Sequence, residues 1–132
     1  MSPFSVKDRV IIVTGGNGIL GRQYVEALTS AGAKVVVWDK ADLNNSIDIT
    51  DELSVKKAVE KIIKQLGQID ALVNNAAMNL AVDDPATKQT QVPYEEYPIG
   101  LWEKELKINL TGAMICIKHV APVMIKQRSG SI

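Results

Sequence analysis

The sequence predicts an α/β fold: a doubly wound parallel sheet with helices on both faces, incomplete in its C-terminal half. Three observations carry this. The runs Arg9–Thr14 and Lys34–Asp39 are continuous and rich in β-branched residues rather than alternating, as in strands covered on both faces. Strand-like runs and segments of helical spacing take turns along the chain, the order that builds a parallel sheet. Four glycines fall within Gly15–Gly21, between the first strand and the first helix.

Composition sets the frame. The chain has 132 residues, 46% hydrophobic and 23% charged, which suits a single globular domain spanning 1–132. The formal net charge is zero, so there is no electrostatic footprint for nucleic acid or an anionic membrane. No apolar run reads as long enough to span a bilayer, and the first residues lack the apolar core of a secretion signal. Cys116 is the single cysteine, which rules out an intramolecular disulfide, and its apolar neighbours make it a small buried residue rather than a reactive thiol. His119 reads as a surface or packed histidine, and no cluster has metal-ligand spacing. A soluble, cytoplasmic protein is the default expectation.

In order, residues 1–8 are a lead-in, with Phe4 and Val6 able to pack on the sheet. The first helix spans about Ile19–Ser30, with Leu20, Tyr24, Val25 and Leu28 at helical spacing and Gly32 as its stop. After the second strand, the polar stretch Lys40–Ser46 leaves no room for a crossover helix. A helix is therefore missing between strands two and three, and Ile47–Ile49 is at most a vestigial third strand. Thr50 is placed as the N-cap of a helix that reaches Leu66, with the apolar face Val55, Val59, Ile62, Ile63 and Leu66 and a stop at Gly67. The fourth strand is Ile69–Asn75. Residues 78–100 read as a long connection that either borders a substrate cleft or is a variable surface excursion. Leu101–Gln127 is helical, with a kink or division near residue 120 imposed by Pro122. Ser131-Ile132 begins a further strand.

The glycines carry the chemistry. Gly16-x-Gly18-x-x-Gly21 follows a strand and opens a helix, the setting of a dinucleotide fingerprint. An early glycine allows the sharp reversal, Gly18 allows a pyrophosphate to approach the backbone, and Gly21 allows the helix to lie close to the strand. The helix start offers free N–H groups and partial positive charge to an anion. Asp39, closing the second strand, lies 18 residues after Gly21, near the spacing of about 20 expected for a ribose-binding acid.

With these residues in order, the chain resembles the short-chain dehydrogenase/reductase superfamily over essentially its whole length. The resemblance rests on Thr14-Gly15-x-x-Gly18-x-x-Gly21, Asp39, Asp48-Ile49-Thr50, Asn74-Asn75-Ala76-Ala77, and Asn109 within Lys107–Gly112. It implies that Gly15, Asn17, Gly18, Ile19 and Gly21 line the cofactor phosphates and ribose. Asp39 would accept the adenosine ribose hydroxyls and repel a 2′-phosphate, favouring NAD over NADP, although Lys40 beside it works the other way. Asp48 and Ile49 would flank the adenine, and Asn75 and Ala76 the nicotinamide ribose. Asn109 resembles the family's catalytic asparagine, which holds a water in the proton relay.

Three departures qualify the resemblance. The commonest family fingerprint has glycine where this chain has Ile19. The helix between strands two and three is missing. The family's catalytic serine and Tyr-x-x-x-Lys motif have no counterpart in the chain: neither Tyr94, Tyr97 nor Tyr24 has a lysine four residues on. The expectation is the truncated, N-terminal cofactor part of an NAD-dependent oxidoreductase acting on a hydroxyl/ketone pair, with a sugar or sugar derivative as the substrate class and little activity in the isolated chain. The alternative is a non-catalytic dinucleotide-binding fragment or pairing partner. The resemblance also implies a dimer or tetramer of the full-length form through residues 101–127.

Overall fold

β1 (Val10–Thr14) is the central strand of a parallel sheet, with β2 (Lys34–Trp38) on one side and β3 (Ala71–Val73) on the other. Val10 pairs with Lys34 and Thr14 with Trp38, while Ile11 pairs with Ala71 and Val13 with Val73. The computed structural model describes residues 5–78 and 91–132. Ser131 makes a single parallel bridge to Ala71, so the chain's last residues extend the sheet beyond β3 as expected.

Both faces of the sheet are covered, which establishes the doubly wound, Rossmann-like α/β arrangement. On one face, α1 (Ile19–Ser30) packs Val25 and Leu28 over Ile11 and Val13. On the other, α2 (Glu52–Leu66) and α4 (Ala113–Gln127) enclose Val10, Ile12, Trp38, Ile69 and Leu72 with Val55, Val59, Ile62, Cys116, Val120 and Met124. Period-two alternation along β1 sends Val10 and Ile12 to the second face and Ile11 and Val13 to the first, and all five β1 residues are buried.

Several sequence expectations are corrected. β2 ends at Trp38, and only its last residue is fully buried; Val35, Val36 and Val37 are half-buried. No helix lies between β2 and the next segment, so this outer strand lacks the cover that β1 has. The vestigial third strand reduces to one bridge between Asp39 and Ser46, ahead of Ile47–Ile49. β3 is only three residues long, not Ile69–Asn75. At its start the Gln127 side chain takes both backbone groups of Ile69, accepting its N–H at 3.0 Å and donating to its carbonyl at 2.8 Å. At its end the Asn75 N–H turns to a side chain of β1. Asp51, not Thr50, caps α2: its carboxylate accepts the N–H groups of Leu53 and Ser54, because Thr50 already donates its own N–H and hydroxyl to Asp48. Gly67 closes α2 in the left-handed conformation, φ 78°.

On α1, Leu20 and Tyr24 are exposed and Gly21 is the buried residue, so close backbone approach replaces part of the expected apolar face. Residues 1–4, including Phe4, and residues 79–90 of the long connection lie outside the described residues. Past them, Tyr94–Glu96 form a single 3₁₀ turn and α3 runs Ile99–Leu106, two residues earlier than expected. Pro122 does not divide the long helical region. The change of hydrogen-bond pattern lies instead in a π-helical turn at Lys107–Gly112 between α3 and α4. α4 continues through Pro122; the carbonyl left without a donor belongs to exposed Lys118, where water can serve it.

The stretch Ile99–Gln127 is long and apolar enough, by length and composition, to cross a membrane, which overturns the expectation that no run reaches that length. In this fold only one side of it enters the core: Ile115, Cys116, Val120 and Met124 are buried in the cluster shared with α2, and 28% of its most apolar window is buried. Lys118 and His119 pair with Glu52 at the start of α2.

Candidate functional site at the strand ends

The chain leaves β1 toward β2 and later returns to β3 on its other side. In such a sheet, the crevice beyond the carboxyl ends of these strands is where ligands bind. Thr14, Gly15, Asp39, Asn75 and Ala76 all stand at that end.

Thr14 holds the rim together. It is 1% exposed, and its hydroxyl donates to the Val73 carbonyl at 3.3 Å while accepting the N–H groups of Asn75 at 3.0 Å and Ala76 at 2.9 Å. The Asn75 amide donates to the carbonyls of Thr14 at 3.0 Å and Gly15 at 3.2 Å. The segment after β3 is thus fastened to the turn after β1 by side chains on both sides. Sequence reasoning placed Thr14 in the motif without a role; the signal was a hydroxyl residue at a buried strand end directly before glycine.

The turn needs its glycines. Gly15 has φ +64°, and a Cβ there would lie 2.9 Å from Ala76 Cα. A Cβ on Gly21 would overlap the Gly15 carbonyl oxygen. Gly16, which sequence reasoning took only as part of the pattern, packs against Val37; a Cβ there would lie 2.7 Å from that side chain. α1 starts from extended Gly18, with no side chain capping it. Its first-turn N–H groups therefore face the crevice end without a side-chain acceptor, as an anion site requires. Ile19, the first helical residue, is 88% exposed.

Asp39 is linked to the same turn. Its Oδ2 accepts the Asn17 N–H at 2.9 Å, and its Oδ1 accepts the Ala41 N–H at 2.9 Å. Asp48 lies across the short loop from it, ion-paired to Lys40 at 2.8 Å. The Lys40 hydrogen bond, aided by Thr50 and opposed by partial burial, holds the Asp48 carboxyl down at about 2. Ile49 is brought near but not into the crevice: its side chain is buried and packs where a Cβ on Gly112 would be. What it offers a ligand is backbone.

Asn109 sits on the π-helical turn. Its Oδ1 accepts the Met78 N–H at 2.7 Å, and its Nδ2 donates to the Met78 carbonyl at 3.4 Å. Its side chain is thus committed to the backbone two residues beyond Ala76. Cys116 is remote from this rim, and burial pushes its thiol up to about 12.

The short chain dehydrogenase family model matches residues 42–132. The chain belongs to the short-chain dehydrogenase family. It is 36% identical to sorbitol-6-phosphate 2-dehydrogenase of Klebsiella pneumoniae, over 97% of this chain and 51% of that protein. Among solved structures, an NAD⁺-bound xylitol dehydrogenase matches with a TM-score of 0.83 at 26% identity, over 95% of this chain and 51% of the other. Ligand-free aldohexose dehydrogenase of Thermoplasma acidophilum matches with a TM-score of 0.77 at 28% identity, over 92% and 46%. The chain spans about half the length of the curated relatives it matches.

Proposed function

We propose that these residues form the cofactor side of an NAD-dependent oxidoreductase that interconverts a hydroxyl and a ketone, with a sugar or polyol as substrate class. The reading treats 1–132 as part of one longer cytoplasmic family domain. The observation that carries it is the joined rim of Gly15, Asp39 and Asn75, where a carboxylate, a glycine cradle and an uncapped helix start converge. Sorbitol-6-phosphate, xylitol and aldohexose in the names of relatives support the substrate class.

In this reading the first-turn N–H groups of α1, after Gly15, Asn17 and Gly18, receive the pyrophosphate, and Asp39 accepts the adenosine ribose hydroxyls. Asp48 and the Ile49 backbone border the adenine; Ile19, Asn75 and Ala76 border the nicotinamide ribose. The nicotinamide, when bound, takes or gives the hydride. Asn109 is a positioning residue that holds the chain leaving β3 through Met78. The general acid/base of the reaction is not assigned to any residue of 1–132.

The test is thermal unfolding of the chain with NAD or NADP. NAD at a hundred times its Kd stabilises a formed site by about 2.7 kcal/mol, seen as a rise in Tm; no rise with either dinucleotide overturns the reading. In steady-state assays with sorbitol, xylitol or aldohexoses, the chain alone produces no sustained NADH.

Trp102, Leu106, Leu110, Met114, Ile117 and Ile125 recur along α3, the π-helical turn and α4 as exposed apolar residues. We assign this stripe to subunit contact in the full-length form. Leu110→Lys combined with Met114→Lys is expected to lower the oligomeric state in sedimentation experiments; an unchanged state sinks the assignment.

A further inference from the structure

The loop that stands in for the missing crossover helix is tied closely to Asp39. Ser46 donates its hydroxyl to the Lys40 carbonyl at 2.8 Å, Ile47 donates its N–H to the Asp39 carbonyl at 3.1 Å, and Asp42 accepts the N–H groups of Asn44 and Asn45. This folding back brings two residues eight positions apart together. Lys40 Nζ lies 2.8 Å from Asp48 Oδ2. The other Asp48 oxygen accepts the N–H of Thr50 at 2.9 Å and its hydroxyl at 2.7 Å, which fixes the direction of the carboxylate. The Lys40 side chain is 77% exposed, and Asp48 is its one ion-pair partner among the described residues.

A cation one residue past the ribose-binding acid is the group that would accommodate a ribose 2′-phosphate. Here that cation is engaged by a carboxylate whose own orientation is set by Thr50. We propose that Asp48 is a second determinant of the preference for NAD over NADP, holding the Lys40 ammonium in an ion pair and withholding it from a 2′-phosphate. Asp39 repels the phosphate directly; Asp48 acts through Lys40. The inference rests on the dinucleotide reading of the site.

Calorimetric titration of the 132-residue chain with NAD and with NADP separates the possibilities, using Asp48→Asn, Lys40→Met and the double variant. Comparing the ratio of the two Kd values cancels any effect of Asp48 on the adenine, which both ligands share. Asp48→Asn moves the ratio toward NADP by about two- to fivefold, the scale of an exposed ion pair. Lys40→Met alone leaves the ratio near its starting value, and the double variant shows no gain. An unchanged ratio in Asp48→Asn overturns the proposal. A gain that persists in the double variant also overturns it, because the Asp48 charge then acts without Lys40. A loss of NADP affinity in Lys40→Met alone does so too, and it serves where Asp48→Asn fails to fold. Failure of the unmodified chain to bind either dinucleotide overturns the underlying reading instead, and is distinguishable because no ratio exists.

Discussion

The Asp39 carboxylate accepts the Asn17 N–H at 2.9 Å, joining the end of β2 to the turn that follows β1. One acid thereby orders the glycine turn and presents its remaining acceptor capacity to the crevice. Asp39→Ala removes acceptors from Asn17 and Ala41, two exposed amides that water can satisfy, so the stability cost is about 1 kcal/mol. Hydrogen bonds to a charged acceptor are worth roughly 1.5–3 kcal/mol, so NAD affinity falls at least about tenfold. Titration calorimetry alongside thermal unfolding checks both; equal NAD affinity in the variant removes Asp39 from the site.

Thr14 is a sharper test of the rim's construction. Thr14→Val keeps the shape but leaves the Ala76 N–H group without its acceptor, while the Asn75 N–H keeps the Val73 carbonyl at 3.0 Å. A part-buried unpaired group costs about 1–3 kcal/mol, so a loss of about 1 kcal/mol or more is expected in urea unfolding. Thr14→Ser restores most of it. A serine variant as unstable as the valine variant would show that the methyl packing, not the hydroxyl, matters.

The glycines divide into tight and free. Gly21→Ala places a methyl onto the Gly15 carbonyl and is expected to cost about 1–3 kcal/mol. Gly100→Ala, in α3 with nothing within 4 Å of the added carbon, is expected to stabilise by up to about 1 kcal/mol through helix propensity. Denaturant midpoints of the two variants should move in opposite directions.

Asp48 gives a pH dependence with a definite sign. Its folded-state pKa of about 2 lies below the ordinary 3.8, so its contribution is fully present above about pH 4 and disappears as pH falls toward 2. Asp48→Asn should flatten that part of the stability profile. A profile between pH 4 and 2 identical to the unmodified chain would show that the Lys40 pair does not form in solution.

Much of this molecule is legible from local pattern. The fingerprint Gly16-x-Gly18-x-x-Gly21, the acid Asp39, the helix stop at Gly67 and the missing crossover helix follow from turn sterics, spacing and chain length, which act over a few residues. The π-helical turn at 107–112 is hidden because apolar spacing looks nearly the same through it, while Pro122 marks no break in the helix.

The sequence by itself determined the α/β order and which residues stand at the carboxyl ends of the strands, because strand burial and glycine turns are written in neighbouring residues. Only the tertiary structure decided what those residues do to one another. Thr14 reaches Asn75 across 61 positions, Asn109 reaches Met78 across 31, and Lys40 pairs with Asp48 while staying largely exposed. The physical reason is that a hydrogen-bond partner is chosen by distance in space. That distance exists only after parallel strands have brought remote segments side by side.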